Sequence, residues 1–329
     1  MSLLLETVTD RSSLVLVRTR KELSWALERA RAHSSGPIGF VPTMGALHQG
    51  HVSLIEAAHK VCGEVVVSIF VNPTQFGPGE DYDTYPRDLD GDLEVATKAG
   101  ASVVFAPPVE EIYPQGCDSY EDDVPREVIE AIGAGGLTTR LEGADRPGHF
   151  LGVARVVFRL FSLVGESRAF FGEKDYQQLA VVRRLVEASR LPVEVVGCPT
   201  VREPDGLALS SRNRRLSVSQ RSRATALFRA LRRGSELVGS GETEAARVIA
   251  AMWEVMESEP DVQPSYASVA EPFTLEPLEN LGSSAKCPDE VRLLVAARVG
   301  SVRLIDNMPA YLPGAGAFRR EDGRRGRED

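Results

Sequence analysis

Cysteine is scarce and scattered in this chain. Cys62, Cys117, Cys198 and Cys287 are its only four, and none forms a C-x-x-C pair. That spacing argues against a disulfide framework or a zinc knuckle and suits a reducing, cytoplasmic setting. Positive charge is also in deficit. A net charge of −9 argues against general binding to nucleic acid or an anionic membrane, while leaving room for a local positive pocket. No apolar run is long enough to span a bilayer. The start, Met1-Ser2-Leu3-Leu4-Leu5-Glu6, lacks the basic segment and long apolar core of a signal peptide. Internal repeats are missing too. What remains is an ordinary globular composition, 43% hydrophobic and 26% charged, in 329 residues, a length that suits two domains.

Histidine is rare as well, and this makes its placement informative. Two of the five lie in Pro42-Thr43-Met44-Gly45-Ala46-Leu47-His48-Gln49-Gly50-His51. Ile38–Val41 before it reads as a short buried strand; Val52, Ile55, Ala58 and Cys62 after it recur at helical spacing. A strand, a glycine-containing loop and a helix start make a site for an anionic phosphate, because unpaired backbone N–H groups and the positive end of the helix dipole point there. Gly45 and Gly50 permit close backbone approach, and the imidazoles of His48 and His51 can donate to phosphate oxygens. The competing reading is a metal pair or two capping histidines; a zinc site would want a third ligand, and none is obvious.

Strand and helix patterns alternate through the first two thirds of the chain. Strand 14–17 precedes a helix announced by the capping box Thr19-x-x-Glu22, with Leu23, Ala26, Leu27 and Ala30 on one face. Strand 38–42, helix 51–62, strand 64–71, helix 88–99 and strand 101–106 follow. Helix 152–164, strand 168–172, helix 175–189 and strand 193–198 complete the series. Such alternation predicts an α/β fold on a parallel sheet, with ligands bound at the carboxyl ends of the strands. Loops 42–51, 72–79 and 172–178 all lie at such ends. Beyond residue 200 two helices, 219–238 and 243–257, precede strands at 265–271, 291–298 and 301–305, the pattern of a small α+β domain. The expected division is a domain over 1–200, a second over 201–312 and a disordered tail over 313–329.

Three further segments carry polar chemistry. Gly172-Glu173-Lys174-Asp175 opens a helix after a strand; Lys174 offers a compact charge to a second phosphate position, and Asp175 is a plausible helix cap. Leu209-Ser210-Ser211-Arg212, after the turn Glu203-Pro204-Asp205-Gly206, offers hydroxyls and a guanidinium that can wrap a triphosphate. Gln75, in Asn72-Pro73-Thr74-Gln75-Phe76, and Gln178 offer neutral amides that can hold a carboxylate without pairing its charge. Each has a bland counterpart: a surface lysine beside a cap, a solvated turn, a turn glutamine. Asp88, Asp90 and Asp92 read as the acidic first turn of a helix, with assistance to a metal as the alternative.

Together these motifs resemble the pantoate–β-alanine ligases (pantothenate synthetases), over about residues 14–312. The resemblance rests on Pro-Thr-Met-Gly-Ala-Leu-His-x-Gly-His, Val-Asn-Pro-x-Gln-Phe, Phe-Phe-Gly-Glu-Lys-Asp-Tyr-Gln-Gln-Leu and Ser-Ser-Arg-Asn. Arg146-Pro147-Gly148-His149-Phe150 and Arg303-Leu304-Ile305-Asp306-Asn307 add to it. It implies a Rossmann-like doubly wound parallel sheet with a smaller C-terminal α+β domain, arranged as a homodimer. It also implies a two-step ligation of pantoate and β-alanine through a pantoyl adenylate. ATP, with Mg²⁺ carried on its phosphates, would meet Met44, Gly45, Ala46, Leu47, His48, Gln49, Gly50, His51, Gly172, Glu173, Lys174, Asp175, Val201, Leu209, Ser210, Ser211 and Arg212. Gln75 would contact pantoate and β-alanine, and Gln178 pantoate. His51, His48, Lys174 and Arg212 would carry the chemistry, with no metal ligand from the protein.

Three departures stand out against that pattern. Leu209 occupies a position usually held by Met, Ser301 one often held by Lys, and the segment 115–136 is longer and more acidic than usual. The rivals are another H-x-G-H nucleotidyltransferase, such as a maker of a dinucleotide cofactor, an inactive nucleotide sensor, and a metallohydrolase using the histidine pair. The first would lack the Gln75 and Gln177-Gln178 constellation.

Overall fold

The computed structural model describes residues 14–34, 36–80, 82–117, 124–282 and 289–313. The N-terminal extension, all of the C-terminal tail but Pro313, Cys287 and residues 118–123 of the acidic segment lie outside them. Two compact units make up the described chain. One comprises the chain up to Ala131 together with Pro147–Gly172 and Val182–Cys198; the other comprises Ile132–Arg146, Glu173–Val181 and the chain from Pro199 onward.

The first unit is built on six strands: β1 (Val15–Val17), β2 (Ile38–Thr43), β3 (Glu64–Ile69), β4 (Val103–Phe105), β5 (Ser167–Gly172) and β6 (Val193–Cys198). Every pairing is parallel, in the order β1-β4-β3-β2-β5-β6. Two helix pairs flank the sheet, Arg20–His33 with His149–Val164 and Gln49–Val61 with Leu89–Ala99. The fully apolar strand segments Val65–Val67 and Val103–Phe105 are buried, as strands covered on both faces must be. The chain runs from β2 to β3 on one side and later places β5 on the other. The order therefore reverses between β2 and β5, and in such sheets ligands bind outside the carboxyl ends of the strands at that point.

Local signals explain most boundaries. Glu22 N–H donates to Thr19 Oγ1 at 3.2 Å and Thr19 N–H to Glu22 Oε2 at 3.0 Å, closing the capping box foreseen from the sequence. The helix expected at 51–62 starts two residues earlier, at Gln49, because the ring of His48 itself caps it. The helix expected from 175 begins at Tyr176, after a 3₁₀ turn over Glu173–Asp175.

In the second unit, β7 (Val262–Ala270), β8 (Glu290–Val299) and β9 (Val302–Tyr311) form an antiparallel sheet in chain order. Helices Ala226–Gly239 and Ala245–Glu257 cover it, and Leu227, Leu231, Val248, Met252, Leu293 and Val295 form its core. The α+β pattern expected beyond residue 200 is thus present. The first of its two helices is broken, with a short piece at Val218–Arg223 before the main run.

Candidate active site

The loop after β2 is held through its backbone N–H groups by the side chains of Thr43 and Asp92. Gly45 and Ala46 both adopt positive φ, 82° and 52°, so the chain turns sharply after the strand. Gly45 N–H donates to Thr43 Oγ1 at 3.1 Å, and the same hydroxyl donates to Ser68 O at 2.7 Å. Ala46 and Leu47 donate to the two oxygens of Asp92, at 2.9 and 2.6 Å. The N–H groups of residues 45–47 are therefore spent inside the protein. These three are not among the unpaired backbone donors expected around this loop.

His48 and His51 share one capping box. Gly50 N–H donates to His48 Nδ1 at 3.1 Å, and His48 N–H donates to His51 Nδ1 at 3.3 Å. Each Nδ1 is thus an acceptor, so each neutral ring carries its proton on Nε2. The rings lie 4.2 Å apart between centroids, tilted by 37°. Two Nε2–H donors at a helix start, on the positive end of its dipole, suit an anion of several oxygens. Gln49 is exposed beside them.

Gln75 lies in the same unit, 9% exposed. Asn72 fixes the orientation of its amide. Asn72 Oδ1 accepts from Thr74 N–H at 3.3 Å and from Tyr113 Oη–H at 2.8 Å; its Nδ2 donates to Gly152 O and to Gln75 Oε1, both at 3.1 Å. With Oε1 so engaged, Gln75 turns its NH₂ to Met44 Sδ at 2.9 Å and presents a donor. His149 Nδ1 donates to the Gln75 carbonyl at 2.9 Å, which fixes the backbone as well. Sequence reasoning missed Asn72, Tyr113 and His149 as supports. The signal for Asn72 and His149 was their place in motifs already quoted; nothing marked Tyr113.

The second unit gathers the other candidates. After Val201 the chain returns through the turn foreseen at Glu203–Gly206, where Gly206 has φ 95°, so that Arg202 bridges Ala208 and Leu209 N–H donates to Val201 O at 3.0 Å. Ser210 caps the following 3₁₀ turn, Ser211–Arg215, by accepting from Arg212 N–H at 3.3 Å. Asn307 on β9 donates its side-chain amide to the carbonyls of Glu173 and Lys174, each at 2.8 Å. Beside it Arg202 holds Asp306 through two bonds, at 2.6 and 2.9 Å. Burial pushes the Asp306 carboxyl above the ordinary carboxylate range, and Arg202 opposes that shift. Lys174 Nζ lies 3.4 Å from Asp175 Oδ1. Gln177, expected beside Gln178, is structural: its NH₂ donates to Leu137 O and Arg140 O, each at 2.8 Å, and its oxygen accepts from Glu142 N–H at 3.1 Å. Gln178 is half-buried.

The first unit thus brings together Met44–His51 and Gln75, with Gly172 closing β5. The second brings together Glu173, Lys174, Val201 and Leu209–Arg212. Among the described residues no group of three or more His, Cys, Asp or Glu could hold a metal ion, and no helix is long and apolar enough to cross a membrane.

An H-x-G-H helix start at the switch point of a parallel sheet defines a nucleotide-handling α/β protein. Comparison with known proteins narrows the class. The family model for pantoate–β-alanine ligase matches residues 15–309. Pantothenate synthetase of Chloroflexus aurantiacus is 50% identical over 270 residues, 82% of this chain and 90% of that one. The crystal structure of pantothenate synthetase from Thermus thermophilus superposes with a TM-score of 0.78 at 48% identity, over 89% of this chain and 98% of that one. The Francisella tularensis pantoate–β-alanine ligase, solved with β,γ-ATP and β-alanine, gives a TM-score of 0.68 at 31% identity, over 90% and 97%. The chain belongs to the pantoate–β-alanine ligase family.

Proposed function

We infer that the chain joins pantoate to β-alanine at the expense of ATP, giving pantothenate, AMP and pyrophosphate. The observation that carries the reading is the shared cap of His48 and His51, which sets both rings at a helix start where the parallel sheet reverses its order. A carboxylate oxygen of pantoate attacks the α-phosphorus and pyrophosphate leaves, forming pantoyl adenylate. The neutral amine of β-alanine then attacks the acyl carbon, AMP departs, and the amine loses a proton. Pantoate is already ionised at neutral pH, so the first step needs positioning and neutralisation of growing charge rather than a base.

In this reading ATP is held by Met44–His51, Gly172–Asp175, Val201 and Leu209–Arg212. His51 stabilises charge at the reacting phosphate, His48 positions the phosphates, and Lys174 and Arg212 follow the charge onto pyrophosphate. Gln75 donates its NH₂ to pantoate and β-alanine, a neutral contact that leaves the attacking carboxylate nucleophilic; Gln178 does the same for pantoate. Mg²⁺ arrives ligated by the ATP phosphates. The His48 and His51 imidazoles and the Gln75 NH₂ are N–H donors, not the oxygen ligands that Mg²⁺ prefers. We place the reaction in the cytoplasm, in a homodimer. Within each chain a larger domain over 1–200 would bind substrates, and a smaller one over 201–312 would act as a lid.

Pantoate-dependent exchange of pyrophosphate into ATP tests the assignment. Exchange should need pantoate but not β-alanine, and AMP release should need both. Exchange that ignores pantoate and answers to another acid overturns it.

A further inference from the structure

Two residues in succession, Gly45 and Ala46, hold a left-handed backbone directly before the histidine pair, at φ 82° and 52°. L side chains rarely adopt that conformation, so something must hold Ala46 there. The group that does so comes from another helix. Asp92, 4% exposed, lies in the first turn of Leu89–Ala99, a helix packed on Gln49–Val61. One carboxylate oxygen accepts from Ala46 N–H and the other from Leu47 N–H, at 2.9 and 2.6 Å. The fit is close: a Cβ added at Gly45 would stand 2.7 Å from Asp92 Oδ2. Three acids start this helix, and each is used differently. Asp88 caps it by accepting from Gly91 N–H at 3.1 Å, Asp90 stays in its exposed first turn, and Asp92 reaches across to the loop.

We propose that Asp92 is a positioning residue for the ATP side of the reaction, fixing the Gly45–Leu47 turn before the nucleotide arrives. This rests on the ligase reading above. A carboxylate offers each of the two converging N–H groups its own acceptor oxygen, which an amide of the same size does not. With the turn fixed, His48 enters the helix in the extended conformation that lets its ring cap Gly50, φ −138° and ψ 176°. Both imidazoles then keep the orientation their shared cap sets, without reorganisation at the moment of reaction. Asparagine at position 92 would accept from one N–H and set its own NH₂ against the other.

The experiment compares Asp92→Asn with Asp88→Ala, which removes the cap of the same helix but not the loop contact. Asp92→Asn should raise the KM for ATP by about tenfold, the loss expected for one hydrogen bond to a charged acceptor. Its KM for pantoate should stay near the wild-type value. Asp88→Ala should lower the melting temperature and leave both KM values unchanged. Amide hydrogen exchange on the ATP-free wild-type protein supplies a readout that needs no variant to fold: Ala46 and Leu47 should be protected. A folded Asp92→Asn with wild-type KM for ATP overturns the proposal. So does an Asp88→Ala that reproduces the KM shift, or fast exchange at Ala46 and Leu47. Wild-type exchange of pyrophosphate that fails to need pantoate would overturn the ligase reading instead, and is measured in the same assay.

Discussion

Asn307 on β9 donates its side-chain NH₂ to the carbonyl of Lys174 at 2.8 Å, and to that of Glu173 at the same distance, across 133 residues of chain. Arg292 in turn donates to Asn307 Oδ1 at 3.1 Å, so the amide has one orientation. The segment that carries Lys174 is therefore held through its backbone. Asn307→Ala should slow adenylation about tenfold by loosening that segment, with the fold retained. Single-turnover formation of the adenylate measures it. Unchanged turnover would mean that Lys174 finds its place without the clasp.

His51→Ala and Lys174→Ala should each reduce the rate of adenylation by roughly a hundredfold, the usual cost of removing one preorganised donor to a reacting phosphate or oxyanion. Circular dichroism should be unaltered in both. Loss of the His51 ring also removes the acceptor for His48 N–H, so a small fall in melting temperature is expected there and not in Lys174→Ala.

Gly152 packs against the loop that presents Gln75. An added Cβ would lie 2.1 Å from Thr74 O and 2.6 Å from Gln75 Cα, and backbone atoms cannot step aside as a side-chain tip can. Gly152→Ala should destabilise the protein by about 1–3 kcal/mol and raise the KM for pantoate more than that for ATP. Urea unfolding and steady-state kinetics separate the two effects.

Arg202→Ala leaves Asp306, 4% exposed, without its partner. Breaking a buried pair costs about 3–5 kcal/mol near neutral pH. Burial already raises the folded-state carboxyl above its unfolded value, and loss of Arg202 raises it further. A raised acid penalises folding above its folded-state pKa, and the penalty fades as pH falls through that value and the carboxyl takes a proton. The stability gap between variant and wild type should therefore narrow on acidification. A gap that widened would contradict the assignment.

Much of the fold could be read from the chain because its signals are local. Thr19 and Glu22 lie three residues apart and cap one helix; Leu23, Ala26, Leu27 and Ala30 share a face because helical geometry puts them there. His48 and His51 were legible for the same reason, as both sit within one turn. The misreadings had a common source. Helix Gln49–Val61 begins two residues early because an imidazole served as cap, which propensity does not favour. Gln177 stood in the sequence only as the neighbour of Gln178, and its bonds to Leu137, Arg140 and Glu142 join segments too far apart in the chain for any local pattern to show.

By itself, then, the sequence determined the alternation of strands and helices, the caps, the histidine pair and the set of polar residues available for chemistry. Each depends on neighbours within a few positions. Only the tertiary structure decided how those residues are presented. It assigned the N–H groups of Ala46 and Leu47 to Asp92, the orientation of the Gln75 amide to the hold of Asn72, and the carbonyls of Glu173 and Lys174 to Asn307. Asp92 and Asn307 make contacts that span dozens of residues or more, and no local pattern encodes a hydrogen bond whose two ends meet only after the sheets have formed.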